Sequence, residues 1–143
     1  MLGKCGRPSR RLPFRQANSS IAILKAEPQM TKPDPVIARR VLLGRTEQGD
    51  QVIAVSLFAP AADGENWSCA YEVDWPEAPR RNAALGVDSM QALVLALQML
   101  GAELHAGRPV QIQSLEWLGN DGSLGLPLPP SLRAEARGDD KLI

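Results

Sequence analysis

Few side chains in this sequence could carry chemistry. Cys69 and His105 are the one thiol and the one imidazole within residues 30–143, and a Cys–His nucleophile needs the two within hydrogen-bond reach in a cleft. Their contexts argue against it. Cys69 alternates with Trp67 and Tyr71 as a small inward-facing residue does, and His105 falls in the last turn of a helix, where a cation is favoured. Glu72 and Asp74 share one side of a strand and could form a hydrolytic carboxylate pair, but acids on a solvated sheet face have the same spacing. Two basic doublets, Arg39-Arg40 and Arg80-Arg81, could each aim one guanidinium to a common side and grip a carboxylate or phosphate if their strands were neighbours. Guarding strand edges against aggregation is the competing role. Trp75, just before Pro76, could anchor a partner or simply continue an inward row. There is no Gly-rich phosphate loop, nucleophile elbow or zinc-binding helix pattern, and a single His leaves no histidine-rich metal site. No catalytic residue, metal or cofactor is expected.

The elements that must position these side chains follow from periodicity. Residues 36–43 are β-branched and Leu-rich after a Pro-containing lead-in, which reads as a first strand. Residues 52–59 form a second, with Ile53, Val55 and Leu57 on one side. The Asp63-Gly64 turn precedes the cleanest alternation in the chain, Trp67, Cys69, Tyr71, Val73 and Trp75 against Ser68, Ala70, Glu72 and Asp74. Residues 80–87 alternate weakly, with Ala83, Leu85 and Val87 together, as a fourth strand. A fifth is expected over 110–118 with a bulge near Ser114.

Asp88 with Gln91 three residues on is a variant capping box, and Gly107 is a suitable stop, so a helix is expected over Ser89–Ala106. Its main inward stripe is expected to be Met90, Leu93, Val94, Leu97, Leu100 and Leu104. Leu95 and Met99 lie off that stripe, and only Gln91, Gln98 and His105 form a polar line. A helix apolar nearly all round needs cover on more than one side, from the later chain or from a second copy of the protein. Gly101 implies close approach of another backbone or of a ring such as Trp117.

The chain is 143 residues long, with 16 Lys plus Arg against 16 Asp plus Glu. That zero joins unlike parts. Residues 1–29 hold six basic residues and one acid, a charge of +5, whereas residues 30–143 hold ten basic and fifteen acidic residues, −5. Residues 1–29 are read as a basic disordered extension, and Met30 as the expected true start. Residues 30–128 are read as one domain and 129–143 as a disordered tail. The acidic domain disfavours nucleic acid and anionic membranes as partners. Two cysteines build no disulfide framework, and no secretory signal is present, so the cytoplasm is the expected location.

The run Gly86-Val87-Asp88-Ser89-Met90-Gln91-Ala92-Leu93, continuing to Gly101-Ala102-Glu103-Leu104 and followed by Leu115-Glu116-Trp117-Leu118-Gly119, resembles a family of small bacterial domains of unknown function, as does Ile37-Ala38-Arg39-Arg40. The similarity covers about residues 36–128. It implies a compact α+β domain and brings no catalytic residue or ligand.

The fold expected is a two-layer α+β domain, a mostly antiparallel four- to five-stranded meander with one long helix packed on it. The function expected is a non-enzymatic protein-interaction module that forms a homodimer through Leu95 and Met99, with Arg39, Arg40, Trp75, Arg80 and Arg81 as candidate ligand- or partner-binding residues. The alternative is a small-ligand or enzymatic pocket between sheet and helix, lined by Trp67, Tyr71 and Trp117 with an Arg doublet at its mouth.

Overall fold

The computed structural model describes residues 34–136 and 138–141; the basic extension 1–29 and Met30 lie outside them. The β-branched run becomes β1 (Val36–Thr46), which turns at Glu47-Gln48 into β2 (Gly49–Phe58), antiparallel from Ala38 opposite Leu57 to Thr46 opposite Gly49. Pro60 has no N–H for a ladder and breaks the strand. Pairing resumes in β3 (Ala61–Asp63), and a turn through Gly64, at φ +61, leads into β4 (Asn66–Asp74). β5 (Pro79–Gly86) folds back along all of β4, from Asp74 opposite Pro79 to Trp67 opposite Gly86. β2 and β3 meet the other side of β4, so they act as one strand interrupted at Pro60. The chain then returns to the far side of the sheet, where β6 (Ser114–Trp117) pairs with β1 and β7 (Asn120–Asp121) closes a short hairpin. Across the open antiparallel sheet the order is β5, β4, β2, β1, β6, β7.

The α+β class and the single main helix are as expected; the strand count is higher than four or five. Both additions are local: β3 restores pairing beyond Pro60, and β7 is the return arm of the Leu118-Gly119 turn, with both turn residues at positive φ. The last long strand is shorter than expected. Ile112 N donates to Pro109 O at 3.0 Å, a turn where the strand was to begin, and Val110 is 98% exposed.

Helix α1 (Ser89–Ala106) has the bounds its punctuation implies. Asp88 Oδ1 accepts from Gln91 N at 2.7 Å, and Gln91 Oε1 accepts from Val87 N at 2.8 Å, so the capping box is reciprocal. Its buried stripe, however, is Ala92, Ala96, Leu100, Gly101 and Leu104, whereas Met90 and Val94 are 68% and 44% exposed. The reason is close approach. α1 lies so near β4 and β5 that a Cβ at Gly86 would collide with the Ala92 backbone, and only small residues fit that separation. Gly101 meets the strap of residues 124–129: a Cβ there would sit 2.5 Å from Pro127 O. Part of the cover the helix needs thus comes from the later chain.

β4 buries Cys69, Tyr71 and Val73, with Trp75 just beyond, as its alternation implies. The alternation of β5 left its inward side open, and the structure decides it. Ala84 and Gly86 are buried, while Ala83 and Leu85 face outward and Val87 beyond them is exposed. Where residues 129–143 were expected as a tail, the described part holds a helical turn, α2 (Pro130–Arg133), and a 3-10 turn at Gly138–Lys141. That second turn carries Asp140, which is fully buried.

Candidate functional site

The helix side of β4 and β5 is organised by one acid. Glu103 follows Ala96 by seven residues and so lies on the small-residue stripe of α1, facing the sheet. Tyr71 Oη donates to its Oε2 at 2.9 Å and Asn82 Nδ2 to the same oxygen at 3.0 Å; Trp75 Nε1 donates to Oε1 at 3.1 Å and Arg80 Nη1 at 3.3 Å. The side chain is only 8% exposed, and a carboxylate that far from water needs such a set of donors. Each oxygen has two partners, so Glu103 is a clamp rather than a poised base. Burial, then the neighbouring carboxylate, pushes the Tyr71 hydroxyl up to about 12.

This clamp accounts for two of the expected binding residues. Trp75 is buried, and Arg80 turns inward to Glu103 and to Gly107 O at 3.0 Å. Arg81 points to the opposite face, its guanidinium carbon 3.9 Å from the centroid of the Phe58 ring and one nitrogen 3.5 Å from Asp34. Arg39 shares that outer face. Arg39 opposes Ser56, Ser56 opposes Glu72, and Glu72 opposes Arg81, one row across four strands. With strands about 4.8 Å apart, the two arginines stand roughly 14 Å apart at their Cα atoms. Strands β1 and β5 are not neighbours, and Glu72 lies between the pair, so the row brings no two cations onto one small anion.

Arg40 faces the helix side. It lies 4.0 Å over the Trp117 ring and donates to the carbonyls of Leu124 and Gly125, the latter at 3.1 Å. Burial lowers its pKa, with Asp140 opposing. Asp140 binds the same strap from the other side: Leu124 N donates to Oδ2 and Gly125 N to Oδ1, each at 2.7 Å, with Ser123 Oγ at 3.2 Å from Oδ1 and His105 Nε2 at 3.1 Å from Oδ2. Here the carboxylate stands between Ser and His, so no serine is activated by an imidazole. Cys69 is elsewhere, its Sγ 3.4 Å from Phe58 O, and burial pushes its thiol up. Cys69 and His105 therefore do not meet. Tyr71 on β4 and Trp117 on β6 are separated by β2 and β1, so the expected three-ring pocket has no common wall.

Two further clefts are present. One of about 410 Å³ is lined by Gln48, Gln51, Glu77, Gln111 and Gln113 among others, and no Cys, His, Lys or Arg lines it. One of about 240 Å³ has His105 and Arg108 with Asp121 and Glu135. An apolar hollow of about 470 Å³ is the groove between β5 and α1. It is walled by Ala83, Ala84 and Leu85 on the strand, by Leu95, Gln98, Met99 and Ala102 on the helix, and by Pro129 at its end. Leu95 and Met99, the expected self-association pair, thus share one wall. Leu85 was not anticipated in this role. Its signal was the alternation of β5, which did not say which side faces inward. Glu103 left a fainter signal, as an acid on the Ala92-Ala96-Leu100 stripe.

A family model described as a domain of unknown function, DUF6968, matches residues 38–128, more than half of the chain. The chain belongs to this family. The DUF6968 match begins two residues into β1, takes in the other strands and α1, and ends within the strap, before α2 and the turn that carries Asp140. No curated protein and no solved structure matches the chain. Among the described residues, no helix of this DUF6968 chain is long and apolar enough to cross a membrane, and no group of three or more His, Cys, Asp or Glu could hold a metal ion.

Proposed function

We propose that the domain is a protein-interaction module whose partner is a second copy of itself, docked on the groove between β5 and α1. One observation carries the reading: the groove is apolar and open, with Leu85 57% and Met99 41% exposed on its two walls. Water contact with such an apolar groove is costly, and exposed apolar patches are where proteins meet. Enzymatic chemistry has weaker support. The buried acids Glu103 and Asp140 have their oxygens taken by donors within the fold, and neither of the two clefts described brings a nucleophile against an activated base. The reading includes a bacterial, cytoplasmic setting, with nucleic acid and membranes set aside because residues 30–143 carry a net −5.

Light scattering of the full 143-residue chain at high micromolar concentration tests this. A dimer mass that Met99→Glu shifts to the monomer, with at least a tenfold weaker association, supports the reading. A strict monomer, or a dimer that Met99→Glu leaves intact, overturns it.

A further inference from the structure

The two edges of the sheet are unequally protected. At one end β7 is two exposed polar residues, Asn120 and Asp121, too short to template another strand, and the part of β1 that β6 does not pair, ahead of Leu43, carries the Arg39-Arg40 doublet as charge guards. At the other end β5 offers eight residues; one edge pairs with β4 throughout, and the other has no strand partner among the described residues. Open edges are usually guarded by charge. Here the guards are turned aside, since Arg80 reaches in to Glu103 and Arg81 lies over Phe58. What remains along the edge is Asn82 to Gly86, small or apolar.

Resting on the self-association reading, we infer that the two copies join edge to edge, β5 pairing antiparallel with β5 of the second copy about a twofold axis at Ala84. Symmetry restricts the register, because residue i must oppose the residue equally far beyond the axis. An axis at Arg80 or Arg81 would set like charges against each other, which is unfavourable across a ladder. An axis at Ala84, the middle of the strand residues that wall the groove, sets Ala83 opposite Leu85 and keeps both arginines off the paired stretch Asn82–Gly86. The same axis serves the helices. α1 packs on β4 and β5, so it stands about one strand spacing, roughly 5 Å, from the junction. The two copies of α1 then lie about 10 Å apart on one face, the separation at which helices pack, with Leu95, Met99 and Ala102 between them. One operation thus closes the open edge and the unpartnered helix wall together.

Disulfide trapping decides this. In full-length chains carrying Cys5→Ser, Ala83→Cys mixed with Leu85→Cys is expected to form a heterodimeric disulfide on mild oxidation. Ala83→Cys mixed with Pro79→Cys is expected to form none. Native Cys69 is buried and stays silent. A dimer by light scattering that does not trap at positions 83 and 85, or that traps equally at 79, overturns edge pairing while the self-association reading stands. A monomeric chain overturns both, and leaves an extended peptide of another protein as the occupant of the groove.

Discussion

Two buried carboxylates hold this molecule, and they work in different ways. Glu103 is reached by four side chains, all from β4, β5 or the residues that join them, and it fastens a helix to a sheet. Asp140 is reached by two backbone N–H groups as well as by Ser123 and His105, and it fastens an irregular strap that has no ladder partner of its own. The first supplies an acceptor to donors that different strands bring to one point. The second replaces a missing strand, because buried backbone N–H groups must bond to something. The consequence reaches the surface. By drawing Arg80 and Asn82 inward, Glu103 sends Ala83 and Leu85 out, and so makes the edge that is proposed to pair.

Removing Glu103 is expected to have the largest effect. Glu103→Ala leaves Tyr71, Trp75 and Asn82 with buried, unanswered donors and frees Arg80; a loss of about 3–5 kcal/mol in urea unfolding is expected. A loss below about 1 kcal/mol would show that the cluster is not a clamp. Asp140→Ala is expected to cost less, about 2 kcal/mol, since two backbone donors are stranded where water can reach once the strap loosens. Hydrogen exchange sharpens the contrast: the Leu124 and Gly125 amides lose protection while those of β4 keep theirs. If β4 opened equally, the two carboxylates would belong to one cooperative unit. Tyr71→Phe is the smallest change, about 1 kcal/mol at neutral pH. Because the Tyr71 pKa is raised in the folded state, its contribution is fully present below pH 10 and disappears as the pH rises toward about 12. Alkaline unfolding of the wild type should therefore steepen across that window, and the Tyr71→Phe chain should show a flatter profile.

Much of the fold was legible where the signal is local. Asp88, Gln91 and Gly107 delimit α1 because caps act within one turn, and the alternation from Trp67 to Trp75 marks β4 because side chains on a strand have period two. The inward stripe of α1 was legible only in part: Leu100 and Leu104 are buried as expected, whereas Ala92 and Ala96 take the inward places expected for Met90 and Val94. Nearly every side of that helix is apolar, so the choice between Met90 with Val94 and Ala92 with Ala96 depends on how closely the sheet approaches, which Gly86 permits. The inward side of β5 was not legible for a related reason. Its inner side holds Arg80 and Asn82, polar residues whose acceptor lies some twenty positions away on another element. Of the candidate site, Leu95 and Met99 were found from helical spacing, whereas Leu85, Glu103 and Asp140 emerged only once the elements were placed together.

The sequence by itself determined an α+β domain with a capped helix, a regular central strand and more apolar helix surface than one sheet layer can cover, since those properties rest on spacing along a single element. The tertiary structure alone decided which side of α1 and β5 meets water, because that depends on a carboxylate finding donors from distant strands, and burial is a property of neighbours in space.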